Sequence, residues 1–283
     1  MFILICYGEF LPELPEIETI RRSLQQQVEG CRISAIDIFE KRLRRPVPAG
    51  LLHRYIENFV VRLLERRAKY LLFTFDSGAV LIIHLGMSGR LGLFDPRHPL
   101  EKHTHVVFKL SCDLEMRFRD PRRFGLIAVQ QPGRTSNVLL DHLGVEPLSD
   151  EFNAEYLCDR LGKSMRPVKN VLMDATVVVG LGNIYVSEAL FAAKIDPCRA
   201  AGTLTRSEVD LLVAAIKSTL LQAIAAGGTT LNDFRNGRGE AGFFQQQLMV
   251  YQRQEQPCYL CGHSVRKCVL AGRSTFFCPS CQA

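Results

Sequence analysis

The chain has 283 residues, 47% of them hydrophobic, with 35 basic against 29 acidic side chains and a net charge of +6. That length predicts two domains with ample chain to bury a core, and the composition is ordinary for a globular protein. No apolar run reaches membrane-span length. The segment Met1–Cys6 is too short for a signal-peptide core and lacks both a basic lead and a small-residue cleavage site. A soluble cytoplasmic protein is therefore expected.

The modest positive charge favours a polyanionic partner only weakly; its placement says more. Arginines cluster at 21–22, at 42, 44 and 45, at 66–67 and at 117, 119, 122 and 123, and their planar forks suit phosphate. Of ten cysteines, four lie near the C-terminus in close pairs. The rest are scattered, which is no secreted disulfide framework and fits a reducing compartment.

In chain order, Leu11-Pro12-Glu13-Leu14-Pro15 leads into a helix over Glu16–Val28, where Ile17, Ile20, Leu24 and Val28 share one face. From Cys31 to about Val129 short apolar runs alternate with turns. Strands are expected at Arg32–Phe39, Phe59–Leu64, Tyr70–Phe75, Val80–His84, Val106–Leu110, Glu115–Phe118 and Leu126–Val129, which points to a β-sandwich or barrel. Between strands lie Lys69 at a strand start, the glycine-closed turn His84–Arg90, the loop Glu101–His105 and the loop Arg119–Gly125. Taken alone, Lys69 reads as a surface cation, Met87 as core filler and the 119–125 loop as an exposed turn. Two histidines at i, i+2 (His103 and His105) lack a third ligand for a metal.

Asp141–Leu148 reads as a linker. Helices are expected at Phe152–Leu161, Pro167–Met173, Asn183–Ala193 and Arg206–Ala225, the last closed by Gly227-Gly228. The glycines of Val177–Tyr185 precede a helix, so its free N–H groups are expected to reach a phosphate, with Asn183 adding a side-chain donor. Leu231–Phe244 is a glycine-rich loop. Last comes Cys258-x2-Cys261-x16-Cys278-x2-Cys281. Four thiolates in two close pairs make a closed tetrahedral site for one structural zinc, with no open position for chemistry. Gly272–Phe277 between the pairs reads as a hairpin.

In this order and spacing, from Leu11 to Gln282, these motifs resemble the bacterial formamidopyrimidine-DNA glycosylases, which excise oxidised purines such as 8-oxoguanine. The resemblance implies an α+β multidomain fold: an N-terminal β-sandwich, a helical helix-two-turn-helix module and a C-terminal zinc finger. The corresponding divisions are 1–11 as an extension, 12–147, 148–237 and 238–283. It implies that Pro12 is the nucleophile, Glu13 an acid assisting base loss, and Lys69 and Arg273 the handlers of protons and phosphates in strand cleavage. Met87 fills the gap left by the extruded nucleotide. Arg122 contacts the opposite base, Phe124 wedges between base pairs, and His103, Lys169 and Asn183 contact DNA. The glycine-rich loop closes over the flipped base.

The implied partner is damaged duplex DNA, met by a monomer with no nucleotide cofactor and no membrane. Leu14 favours this branch over the sister enzymes for oxidised pyrimidines, which usually carry Gly there. Three departures stand out. Thr104 replaces the family's usual Asp between the histidines, and Lys163-Ser164-Met165-Arg166 lacks the usual run of lysines. Gln252 and Glu255 stand where the family tends to place glycines, so strain is expected if those positions need positive φ.

The extension matters chemically. A free N-terminal proline is a secondary amine, whereas inside a chain its nitrogen is an amide whose lone pair is delocalised. Leu11 stands where the family has its initiator Met, and a leucine codon can serve as a start, so a working form beginning at Pro12 is expected. A chain that keeps residues 1–11 is expected to bind lesions without cutting.

Overall fold

The structure is a computed structural model that describes residues 12–229 and 247–283. The extension 1–11 and the glycine-rich loop Leu231–Phe244 fall outside the described residues. The chain divides into two compact units, and among the described residues the first contains Pro12 and 16–135 and the second 13–15, 136–229 and 247–283.

The first unit is an antiparallel β-sandwich. Its strands are β1 (Ile33–Ile38), β2 (Val61–Arg67), β3 (Tyr70–Phe75), β4 (Val80–His84), β5 (Arg90–Phe94), β6 (Thr104–Leu110), β7 (Glu115–Arg119) and β8 (Leu126–Gln130). One four-stranded sheet runs β1-β6-β7-β5 and the other β2-β3-β4-β8. Alternation fixes their inner faces: in β3, Leu71, Phe73 and Phe75 point into the core while the residues between them do not. Phe108, Met116 and Phe118 from one sheet and Phe73, Leu81 and Ile83 from the other share one apolar cluster. Helix α1 (Leu14–Val28) adds Ile17, Ile20, Leu24 and Val28, each at most 1% exposed. Glu18 on α1 binds Arg21, Arg22 and, at 3.3 Å, Arg66 of β2, which ties the helix to the sheet edge.

Two elements of this unit escaped the sequence reading. Helix α2 (Ala49–Tyr55) is only 7 residues long and begins behind Pro48, which offers no side-chain cap; so short a helix has little periodicity to show. Strand β5 carries Gly92 at its centre, which reads as turn, but its backbone pairs fully with β7.

The second unit contains α3 (Ala154–Leu161), α4 (Val168–Leu172), α5 (Asn183–Ala192), α6 (Arg206–Ala225) and the two-stranded hairpin β9 (Arg266–Leu270) with β10 (Arg273–Phe277). Helix α5 is apolar nearly all round, and every residue from Ile184 to Phe191 is buried, so it is the central helix of the unit. Helix α6 starts in a capping box between Thr205 and Glu208. The stretch expected as a linker is packed into this unit. Gly144 N–H donates to the Ala175 carbonyl and Val179 N–H to that of Val145.

Candidate nucleic-acid interface and zinc centre

In the first unit, two turns carry the residues expected to enter DNA, and one buried acid binds them together. Asp120 is fully buried. One of its carboxylate oxygens accepts from Ser88 Oγ at 2.5 Å and from Arg122 N–H at 3.3 Å, and the other accepts from Gly125 N–H at 2.7 Å. Its backbone carbonyl pairs with His105 Nε2 at 2.7 Å, and its N–H donates to the His103 carbonyl. The Met87 turn, the Arg122–Phe124 loop and the His103 loop therefore meet on a single residue.

They also touch directly. A Cβ on Gly86 would lie 2.4 Å from the Phe124 carbonyl carbon, so only glycine permits this approach. Phe124 is 45% exposed, a large apolar ring held at the surface, with the Arg122 guanidinium 5.0 Å from its centre. His103 takes a left-handed φ of 71°. Partial burial, then the charges of Lys102 and Arg119, lower its pKa.

Lys69 follows Ala68, whose φ is 53°, in the β2–β3 turn. The next residue, Tyr70, pairs with His84 in register, and the two rings lie 4.9 Å apart. His84 accepts Gly86 N–H on Nδ1 at 2.9 Å. Burial, reinforced by the Lys69 and Arg44 charges, drops its pKa to about 4, so it stays neutral near pH 7.

In the second unit, the glycine turn ahead of α5 holds the chain's own carboxylate. Glu13 Oε1 accepts Ile184 N–H at 3.0 Å and Oε2 accepts Tyr185 N–H at 3.4 Å. The N–H groups expected to be open to a phosphate are thus occupied by Glu13, where the positive end of the helix favours a negative charge. Leu14 N–H donates to the Gly180 carbonyl at 3.0 Å. A Cβ on Gly182 would sit 2.3 Å from the Glu13 carboxyl carbon, so the second glycine makes room for the acid. Pro12 immediately precedes Glu13 and is half-buried.

Asn183 does not cap α5. Its Nδ2 donates to the Ser274 carbonyl at 2.9 Å and to Tyr251 Oη at 3.4 Å, while Oδ1 is buried with no hydrogen-bond partner among the described residues. Lys169, expected to contact DNA, is fully buried. Its Nζ donates to Thr275 Oγ1 at 2.7 Å and to the Ser274 carbonyl at 3.2 Å. Burial lowers its pKa to about 8. Two helices thus grip the residues that follow Arg273, whose own side chain is exposed on β10 beside the turn formed by Ala271 and Gly272.

The four cysteine sulfurs of 258, 261, 278 and 281 all lie within 4.8 Å of one another. Cys258 and Cys281 are 3.9 Å apart and Cys261 and Cys278 3.5 Å. A tetrahedron with Zn–S of about 2.3 Å has edges of about 3.8 Å, so the donor set fits one structural zinc held by these four thiolates. Just before the finger, Gln252 and Glu255 do adopt positive φ, 58° and 65°. The turn expected to need glycine is kept here by L-residues, and Glu255 N–H is fixed to the Val265 carbonyl at 2.8 Å.

Residues that sequence reasoning did not single out are chiefly buried acids. Asp120 was visible only as the Asp-Pro of a loop. Glu188 on α5 looked like an ordinary helical acid. Its carboxylate accepts three backbone N–H groups, those of Met249, Val250 and Tyr251, and burial raises its pKa. It fastens the segment that enters the finger.

A β-sandwich with an aromatic and arginines on closely joined turns, a helical module and a four-thiolate finger define a multidomain nucleic-acid-binding protein. Family models match along the chain: the formamidopyrimidine-DNA glycosylase N-terminal domain at residues 11–127, the formamidopyrimidine-DNA glycosylase H2TH domain at 143–235, and a zinc finger found in FPG and IleRS at 255–283. A formamidopyrimidine-DNA glycosylase of Laribacter hongkongensis is 47% identical over 272 residues, 96% of this chain and 100% of that protein. One from Legionella pneumophila is 43% identical over 96% of this chain and 98% of its own length.

Among solved structures, the MutM (Fpg) protein of Thermus thermophilus superposes with a TM-score of 0.86 at 38% identity, covering 96% of this chain and 98% of that one. The Lactococcus lactis Fpg in complex with DNA containing N7-benzyl-Fapy-dG gives 0.88 at 35% identity, covering 96% and 99%. The chain belongs to the formamidopyrimidine-DNA glycosylase family.

Proposed function

We propose that this chain is a base-excision-repair DNA glycosylase and AP lyase that flips oxidised purines out of duplex DNA, removes them and cleaves the strand through Pro12. The observation that carries this reading is the arm Pro12-Glu13, anchored with its carboxylate on the α5 N-terminus. In a form whose N-terminus is Pro12, the nitrogen is a secondary amine with a free lone pair. Its ordinary α-amino pKa of about 7.7–8.0 leaves a substantial neutral fraction near pH 8. It attacks the sugar C1′, the base departs, and the resulting iminium makes the 2′ hydrogens acidic, so that β- and then δ-elimination cut the strand. Glu13, fixed next to that nitrogen, supplies the negative charge that favours the cationic intermediate and a site for proton transfer to the departing base.

Met87, Arg122 and Phe124 fill the duplex where the nucleotide leaves, and His103 steadies the backbone. Lys69 and Arg273 handle protons and phosphates. Lys169 and Asn183 act through the β9–β10 hairpin, holding Ser274 and Thr275 so that Arg273 is presented to DNA. The zinc holds that hairpin's base and takes no part in the chemistry. Among the described residues no helix is long and apolar enough to cross a membrane, and the protein works as a cytoplasmic monomer on chromosomal DNA.

Borohydride trapping on an 8-oxoguanine duplex tests the reading, since borohydride reduces the iminium and freezes protein on DNA. Protein beginning at Pro12 is expected to crosslink at Pro12, and protein retaining residue 11 is expected not to. Trapping on a thymine glycol duplex in preference to 8-oxoguanine would assign the sister specificity. A Pro12-initiated protein that binds the lesion duplex without crosslinking would leave a lesion-binding protein with no lyase.

A further inference from the structure

We propose that Cys198 and Cys268 form an oxidisable dithiol whose disulfide pins the zinc-finger hairpin to the helical module. The two are separate from the zinc set, and their sulfurs lie 3.7 Å apart although 70 residues separate them in the chain. Cys198 follows Pro197 in the loop after α5, and Cys268 is on β9, directly across from Thr275 in the hairpin register. Cys198 is exposed and Cys268 half-buried, so a small oxidant reaches the pair.

The backbones on either side are already fixed to one another. Asp196 N–H donates to the Ala283 carbonyl, Ala283 N–H to the Lys194 carbonyl, and the Gln282 side chain to the Ile195 carbonyl at 2.8 Å. From the other side, Lys169 holds Thr275 and Ser274. The sulfurs are thus already in van der Waals contact, and the bridge closes that gap to a bond of about 2.05 Å.

The chemistry balances with a low-molecular-weight disulfide as oxidant. One cysteine thiolate attacks it and expels the first small thiolate. The other cysteine then attacks the mixed disulfide and expels the second. Two electrons pass to the oxidant, two cysteine protons are released and one S–S bond remains. Either sulfur can attack first, and the other then resolves the mixed disulfide. The buried Lys169 ammonium is close enough to interact with both sulfurs, and it favours the thiolate form during exchange. Closing so long a loop restricts the unfolded chain, so the bridge stabilises the face that bears Arg273.

The test uses zinc-loaded full-length protein incubated with oxidised glutathione, then mapped without reduction. A peptide joining Cys198 to Cys268 is expected, with one zinc retained per chain. The melting temperature is expected to rise by roughly 3 °C or more, and dithiothreitol should reverse the change. In Cys198→Ser the linked peptide and the rise should both vanish, while binding to lesion duplex DNA should persist. Recovery of both cysteines as thiols or as separate glutathione adducts would overturn the proposal, as would zinc loss preceding any 198–268 link. A link that leaves the melting temperature unchanged would overturn the pinning.

Discussion

At Asp120 and His84 the side chains do their work as hydrogen-bond acceptors inside the first unit. Asp120 accepts from Ser88, Arg122 and Gly125, and an Asn there turns one acceptor into a donor facing a donor. Losing such a charge-assisted bond and leaving its partner unmatched costs about 2–3 kcal/mol. Asp120→Asn is therefore expected to lower stability by that amount, measured by urea unfolding, and to weaken lesion-duplex binding about tenfold or more as the Met87 and Phe124 turns separate. His84 gives a pH signature. Its folded pKa of about 4 lies below the ordinary 6.5, so the unfolded chain takes up its proton first as pH falls. The stability tied to neutral His84 is fully present above about 6.5 and is lost as pH falls through about 4, for a total of roughly 3 kcal/mol. His84→Asn keeps an acceptor for Gly86 N–H without titrating in this window. Unfolding free energies measured from pH 7 to 4 are expected to fall less steeply in that variant than in the parent; equal slopes would refute the assignment.

At the scale of elements, the α5 N-terminus and the turn into the finger show how much the sequence carries. The hydrophobic repeat of α1, the alternation in β3 and the cysteine pairs each encode a period or a spacing that survives in the fold, so they were legible. Who takes the α5 N–H groups was not. Glu13 is 171 residues away from Ile184, and a glycine turn ahead of a helix looks the same whether it receives a phosphate or a carboxylate. What Lys169 holds was hidden for a similar reason: no local signal shows that its ammonium meets a hairpin residue 106 positions later. Gly182→Ala tests the arm. Its Cβ collides with the Glu13 carboxyl carbon, so trapping at Pro12 is expected to fall at least a hundredfold in a protein that still binds zinc and duplex DNA. Gln252→Gly with Glu255→Gly tests the turn. Left-handed φ costs an L-residue roughly 1–2 kcal/mol, and glycine's added unfolded-state freedom gives back about half of that. The double variant is expected to be more stable by about 1 kcal/mol in thermal unfolding.

For the molecule as a whole, metal and charge decide how DNA is held. The finger has little apolar core of its own: Val265, Phe276, Cys258 and Cys278 are its buried apolar residues, while Tyr259, Leu260 and Val269 are exposed. So small a segment draws its folding free energy from the metal. Removing zinc is therefore expected to release β9–β10 and, with it, the grip of Lys169 and Asn183 on Ser274 and Thr275. Amide exchange over residues 255–283 should become fast while α6 stays protected. The consequence for binding can be read from salt. The protein's net charge is only +6, so affinity must come from arginines placed against phosphates, and each phosphate contact contributes about 0.9 to the slope of log K against log salt. Arg273 is exposed on the hairpin, and losing its contact should lower that slope by about one whatever the lesion. Arg273→Ala with zinc in place should reproduce the smaller slope without the exchange change. If chelation weakens binding but leaves the slope untouched, the finger contributes no phosphate contact and Arg273 acts only on the fold.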